Sequence, residues 1–322
     1  MPRRGPRLAA VSPGALRGAF FLRAPGSDRD LGLDRYSVRL GRLALRSTAS
    51  LRWRRVPTET AIAAAAQIQP LLQVDGVTVR FGGITALDRV SFEVAQGHIV
   101  GLIGPNGAGK TTLFNCLSRL YGYSEGAIRF EGRSLLETPT HGIAALGIGR
   151  TFQNLALFRT MSVRQNIMLG GHCRTRSGFV ANALRLGSVA REEAQLAEQA
   201  QALVDLLDLR AVAETRVMDL PFGTQKRVEL GRALASQPKL LLLDEPAGGL
   251  NHEEVGALME LLREVRHQLG LTLLLVEHHM NMVMRVSDRV VALDFGRKIA
   301  DGTPAEVQAN ADVIRAYLGV ET

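Results

Sequence analysis

The chain has 322 residues, enough for two domains or for one with additions, and its 46% hydrophobic and 22% charged residues are ordinary for a soluble globular protein. Cys116 and Cys173 are too few and too far apart for a disulfide framework, and no CxxC exists for a zinc ribbon or a redox pair. The clearest apolar runs, Leu240 to Leu243 and Leu271 to Val276, fall far short of the roughly 20 residues that span a bilayer, so the chain is not itself a membrane pore. The net charge of +8 is concentrated: residues 1–55 carry 13 Arg and no Lys against three Asp and no Glu, a net of +10, which leaves the remainder at −2. A basic groove for nucleic acid is therefore not expected.

Residues 1–69 are rich in Arg, Pro and Gly and show no sustained period. They read as an N-terminal extension: a targeting presequence, a disordered arm, or sequence upstream of the true start. From Leu71 the pattern changes abruptly. Leu72 to Val79 and Val90 to Val94 alternate as strands do, and His98 to Ile103 is a buried-type strand that runs into a glycine loop. A helix is predicted over Thr111 to Leu120, then a strand and turn at Ala127 to Arg133. The stretch from about 160 to 235 reads as helical, with Leu, Ala and Glu at helical spacing from Val189 to Leu209. Strands return at Leu240 to Leu243, Leu271 to Val276 and Arg289 to Leu293, with a helix from about His252 to Gln268. That alternation is an α/β pattern: a parallel core sheet with a helical insertion.

Gly104-Pro105-Asn106-Gly107-Ala108-Gly109-Lys110-Thr111 fits the phosphate-loop pattern G-x-x-x-x-G-K-S/T, with a strand before it and a helix, opening on Thr111 and Thr112, after it. The glycines let backbone N–H groups turn inward around phosphate oxygens, and the helix N-terminus adds partial positive charge. Lys110 suits the β- and γ-phosphates of a nucleotide, and the Thr111 hydroxyl suits magnesium. The second phosphate element is Leu240-Leu-Leu-Leu-Asp244-Glu245, a buried strand whose carboxyl end meets the ligand crevice. Asp244 suits a water-mediated magnesium contact, and Glu245 suits a general base for an attacking water.

Leu220-Pro221-Phe222-Gly223-Thr224-Gln225, continuing to Arg232-Ala233-Leu234, resembles the signature segment of ATP-binding-cassette ATPases. It is a helix start after a glycine turn, another anion site. The resemblance covers about Leu71 to Gly319. It implies a P-loop NTPase core with a mixed, mainly parallel sheet, an antiparallel β subdomain and a helical signature subdomain, the cassette spanning 70–319 before a short tail, 320–322. It also implies ATP and magnesium as cofactors, with hydrolysis in a head-to-tail dimer that sandwiches two ATPs between phosphate loop and opposing signature. By the same resemblance Phe81 stacks on adenine, Gln153 contacts magnesium and faces the transporter, Asn251 lies in the loop that crosses the dimer, and His278 is the switch histidine. Gly147-Ile-Gly-Arg-Thr-Phe-Gln-Asn, Asp244-Glu-Pro-Ala-Gly-Gly-Leu-Asn, Val276-Glu-His-His-Met and Val313-Ile-Arg-Ala-Tyr-Leu-Gly are similar to the ATPase subunits of branched-chain amino-acid importers, a branch close to importers of urea and short amides. The implied partners are membrane permease subunits, a second ATPase subunit (identical or paralogous) and, indirectly, an extracytoplasmic solute-binding protein. The implied location is peripheral, on the cytoplasmic side of the bacterial inner membrane.

The sequence departs from the family pattern at Pro221, Phe222 and Thr224 in the signature, at Asn251 where aspartate is usual, and at His279 where aspartate often follows the switch histidine. Pro221 removes a hydroxyl and an N–H, but suits a helix start and leaves the N–H groups of Phe222, Gly223 and Thr224 for an anion. The alternative is a soluble cassette ATPase acting on DNA or ribosomes. Such proteins carry a long coiled-coil insertion or two cassettes in one chain, and this chain shows one cassette and no sustained heptads. A GTPase or small-molecule kinase is disfavoured by the missing N-K-x-D element. His252-Glu-Glu-Val-Gly256 lacks the second His of a zinc-protease helix.

Overall fold

The computed structural model describes residues 70–151, 155–175 and 187–318. The expectations for residues 1–69, for Gln153 and for the tail at 320–322 lie outside these residues. The described chain begins with β1 (Leu72–Phe81), β2 (Ile84–Val94), β3 (Ile99–Ile103), α1 (Lys110–Leu117), β4 (Glu125–Phe130) and β5 (Arg133–Ser134). It continues through α2 (Ile143–Leu146), β6 (Ile148–Arg150), α3 (Val163–Gly170), α4 (Gly187–Leu206), α5 (Phe222–Ala235), β7 (Leu240–Asp244) and α6 (His252–Leu269). It closes with β8 (Thr272–Val276), α7 (Met280–Val286), β9 (Arg289–Asp294), β10 (Arg297–Gly302), α8 (Pro304–Ala309) and α9 (Ala311–Leu318).

The strands form two sheets. One is antiparallel, of order β2-β1-β4-β5; the other has order β10-β9-β3-β8-β7-β6, parallel except for β10, which pairs antiparallel with β9. This is an α/β architecture with an antiparallel β layer and a helical part. The sequences of β3, β7 and β8 are apolar almost without interruption because every residue in them is buried. A parallel strand is covered on both faces, so it cannot alternate. The period of two survives instead as a division between two cores. Leu241, Leu243, Leu273 and Leu275 join a core with the helices, whereas Leu240, Leu242, Leu274 and Val276 join a core with α1 and the antiparallel sheet. Each such leucine is worth ~1.5–3 kcal/mol of burial, so a charge at Leu242 would break the layer it belongs to.

Three departures from the sequence reading have local causes. The helix expected over Thr111 to Leu120 stops at Leu117, because Arg119 adopts a left-handed conformation, φ 58°, and its N–H returns to the Cys116 carbonyl. The expected strand at Val90 to Val94 is the second half of the longer β2. The stretch from 160 to 235 resolves, among the described residues, into α3, α4 and α5 with short 3₁₀ turns between α4 and α5. Ser162 and Gln165 close a reciprocal capping box at the start of α3. α3 packs on α5 at close range: a side chain at Gly170 would collide with the Arg232 carbonyl oxygen, so only glycine fits that crossing.

Candidate functional site

The phosphate loop joins β3 to α1. Gly104, Gly107 and Gly109 have φ of 149°, 83° and 97°, which is where glycine alone is comfortable. At Gly104 a Cβ would also run into the Leu293 carbonyl oxygen. Lys110 is buried, and its Nζ donates to the carbonyls of Gly104 (2.7 Å) and Pro105 (2.9 Å), closing the loop on itself. Burial pulls the Lys110 pKa below the usual lysine value, and the nearby carboxylates of Glu245 and Asp244 oppose that pull. The loop cradles a cavity of about 310 Å³ lined by Asn106 to Thr112 together with Ala86, Glu245 and His278.

The opposite wall is built by strand register. β7 and β8 run parallel with Asp244 beside Val276, so the residues that follow each strand emerge together at the carboxyl edge. Glu245 takes the left-handed region, φ 48°, and its N–H donates to the Val276 carbonyl at 2.9 Å. A non-glycine residue held there stores ~1–3 kcal/mol of strain. The conformation turns its carboxylate toward His278, whose Nε2 donates to Glu245 Oε1 at 2.7 Å. Asp244 is buried, and its Oδ2 accepts from Arg150 Nη2 at 2.9 Å.

Two residues that the sequence reading left without a role hold this wall in place. Arg150, at the end of β6, reaches Asp244 and, through Nη1, Asn115 Oδ1 and Ser118 Oγ, both at 2.9 Å. Glu277 is 1% exposed. Its Oε1 accepts the Ala247 N–H at 2.6 Å and its Oε2 accepts the His278 N–H at 3.1 Å, with His279 Nδ1 at 3.2 Å. Neither residue carries a periodic signal. The only hint was an acid beside the His pair and an Arg in the Gly-Arg-Thr motif.

Other expected site residues lie apart from this cavity. Phe81, Pro221 to Thr224 and Asn251 do not line it. Phe81 is 47% exposed, which excludes a core role, and it meets Tyr121 edge to face at 5.3 Å between ring centres. Pro221 occupies the N-cap position of α5, and the first helical bond there runs from the Gln225 N–H to the Pro221 carbonyl. The N–H groups of Phe222, Gly223 and Thr224 thus occupy the first turn, where a helix offers donors outward. Phe222 is exposed, with Lys226 Nζ 5.7 Å from its ring centre. Asn251 caps α6: its Oδ1 accepts the Glu254 N–H and Glu254 Oε2 accepts the Asn251 N–H, both at 2.9 Å.

Among the described residues no group of three or more His, Cys, Asp or Glu is arranged to hold a metal by itself. Magnesium at a phosphate site takes one or two protein oxygens and completes its shell with phosphates and water. The exposed Thr111 hydroxyl and the one Asp244 oxygen that Arg150 does not engage fit that requirement.

The family model described as ABC transporter matches residues 87–248, and one described as branched-chain amino acid ATP-binding cassette transporter matches residues 297–322. The high-affinity branched-chain amino acid transport ATP-binding protein LivG of Salmonella typhimurium is 42% identical over 251 residues, covering 78% of this chain and 98% of that protein. BraF of Pseudomonas aeruginosa, which carries the same description, is 40% identical over the same shares. Among solved structures, the ADP conformation of MJ1267, an ATP-binding cassette of an ABC transporter, is 28% identical with a TM-score of 0.68, covering 78% of this chain and all of that one.

Proposed function

The chain belongs to the ABC transporter family, as an ATP-hydrolysing subunit, and on that premise we propose that it powers uptake of branched-chain amino acids through a separate membrane permease. The observation that carries the chemistry is the single cavity in which Lys110 and the phosphate loop face the Glu245–His278 pair. The solute assignment is supported by the names of LivG and BraF and by the match over residues 297–322.

In this reading the glycine loop and Lys110 grip the β- and γ-phosphates of ATP. Thr111 and Asp244 would hold magnesium, which would offset phosphate charge, and Gln153, outside the described residues, is the further ligand that the family resemblance implies. Glu245 takes a proton from the water whose oxygen bonds to the γ-phosphorus as the bond to the β–γ bridging oxygen breaks, releasing ADP and phosphate. His278 holds the Glu245 carboxylate and the γ-phosphate in line. Phe81 stacks on adenine. The first-turn donors of α5, at Phe222, Gly223 and Thr224, with Pro221 before them, face the ATP of a second ATPase subunit, and Asn251 lies at that dimer boundary. No helix among the described residues is long and apolar enough to cross a membrane, and the subunit docks peripherally on the cytoplasmic face of its permease, which receives solute from a binding protein.

The test is uptake by cells lacking the chain's gene. Restoring the gene restores accumulation of labelled leucine, isoleucine and valine and leaves urea and short-amide uptake unchanged. Restored urea or amide uptake without leucine uptake would overturn the solute assignment.

A further inference from the structure

The C-terminal helix α9 reaches back to the phosphate loop. Asn310 starts this helix: its Oδ1 accepts the N–H groups of Asp312 (2.9 Å) and Val313 (3.3 Å). Val313 is 3% exposed and belongs to the core shared by the parallel sheet and the helices. Tyr317 lies four residues further, one turn along the same face. Its ring is partly exposed, but its hydroxyl oxygen is directed inward and accepts the Gly104 N–H at 2.7 Å. Burial around that hydroxyl pushes the phenol pKa up, and the Gly104 N–H opposes the shift.

Gly104 is the hinge between β3 and the phosphate loop. It admits no side chain, because a Cβ there would run into the Leu293 carbonyl oxygen and press on the Ala108 methyl. Its N–H is held by Tyr317 and its carbonyl by Lys110 Nζ at 2.7 Å. One residue therefore joins the C-terminal helix to the loop lysine, across 213 positions of sequence. A backbone N–H in such a place needs a partner, and losing it costs the loop a fixed orientation.

We propose that Tyr317 is a positioning residue of the nucleotide site: from the C-terminal helix it fixes Gly104 and, through Gly104, the resting place of Lys110, so that the C-terminal segment sets nucleotide affinity. The proposal rests on the reading of this loop as the ATP site. A free-standing helix of this length has little stability of its own, so whatever docks on or displaces α9 acts on the loop through this one hydroxyl.

The experiment compares the full-length Tyr317→Phe chain with the unaltered one. Phenylalanine keeps the ring and removes only the acceptor. Magnesium–ATP affinity is measured by calorimetry on the isolated chain, and KM and kcat are measured in the assembled transporter. The expected result is affinity weakened about 2- to 12-fold, the range for one hydrogen bond, with KM raised by a similar factor and kcat kept within about twofold. A role limited to packing would leave both constants alone, since the ring is retained. Melting without nucleotide is followed in parallel, and affinity is compared at a temperature where both chains are folded. Unchanged affinity and KM in Tyr317→Phe, while Lys110→Ala abolishes binding, would overturn the proposal. Undiminished binding in Lys110→Ala would instead overturn the reading of the loop on which it rests.

Discussion

Arg150 and Asp244 form an ion pair of 2.9 Å with side chains only 10% and 7% exposed, and it ties the end of β6 to the end of β7 beneath the phosphate loop. The same guanidinium holds Asn115 and Ser118, in and just after α1, so three elements converge on one side chain. Removing one member of an enclosed pair leaves a buried charge without compensation, which costs ~3–5 kcal/mol. Arg150→Ala is expected to lower the free energy of unfolding by that amount, read as an earlier chemical-denaturation midpoint, and to lose hydrolysis. Arg150→Lys keeps the charge but not the planar fork, and is expected to recover part of the stability. An unaltered unfolding midpoint in Arg150→Ala would remove this role.

Glu277 joins the turn after Asp244 to the histidine loop, through Ala247 on one oxygen and His278 on the other. Glu277→Gln can still accept through its one carbonyl oxygen, but Glu277→Ala leaves the buried Ala247 N–H without an acceptor, at ~1–3 kcal/mol. Hydrolysis by the assembled transporter is expected to rank unaltered chain, then Gln, then Ala, with Ala also melting earlier. Equal rates in all three would show that His278 is positioned by other means.

Asn251 has a structural duty as the cap of α6. Asn251→Ala is expected to destabilise the chain by ~1 kcal/mol, and Asn251→Asp to cost almost nothing, because both Asn and Asp accept the N–H of the first turn. Urea denaturation distinguishes these outcomes. A loss in Asn251→Asp as large as in Asn251→Ala would mean that the cap is not what this residue supplies.

Much of this was legible because it is written in local chemistry. The glycine, lysine and threonine order of residues 104–111 specifies its own loop, and apolar runs such as Leu240 to Leu243 announce strands covered on both faces. The three-residue strand β6 was not legible, since Ile148-Gly-Arg is too short for any period. The helices after β10 carry a local signal of their own: Thr303 and Glu306 form a capping box, with Pro304 at the first helical position. Arg150, Glu277 and Tyr317 act on residues 30 to 213 positions away. Contacts of that kind depend on how the sheets stack, which no window of sequence contains. The separation of Pro221 to Thr224 from the phosphate cavity, by contrast, is what the family resemblance implies, since the signature serves the ATP of an opposing subunit.

The two thiols give a test of the described core. Cys116 is buried in α1, and burial pushes its pKa up to about 11, whereas Cys173 is exposed. A thiol reagent at neutral pH is expected to label Cys173 in the folded chain and Cys116 only after unfolding. The pH dependence has a definite sign. The folded state holds the Cys116 proton more tightly than the unfolded state does, so this contribution is present below the ordinary thiol value of 9.0 and is lost as pH rises toward about 11. Rapid labelling of Cys116 in the native chain would contradict the packing of α1 against the sheet.

The most direct measurement is ATP hydrolysis by the assembled transporter carrying Glu245→Gln. Glutamine preserves size and one hydrogen bond to His278 but cannot take the proton from water, a contribution of ~10²–10⁴ in rate. The account predicts turnover lowered by that factor, with magnesium–ATP still bound and the two ATPase subunits trapped together. Turnover equal to that of the unaltered transporter would contradict the assignment of Glu245 as the base and, with it, the reading of the 310 Å³ cavity as the hydrolytic site.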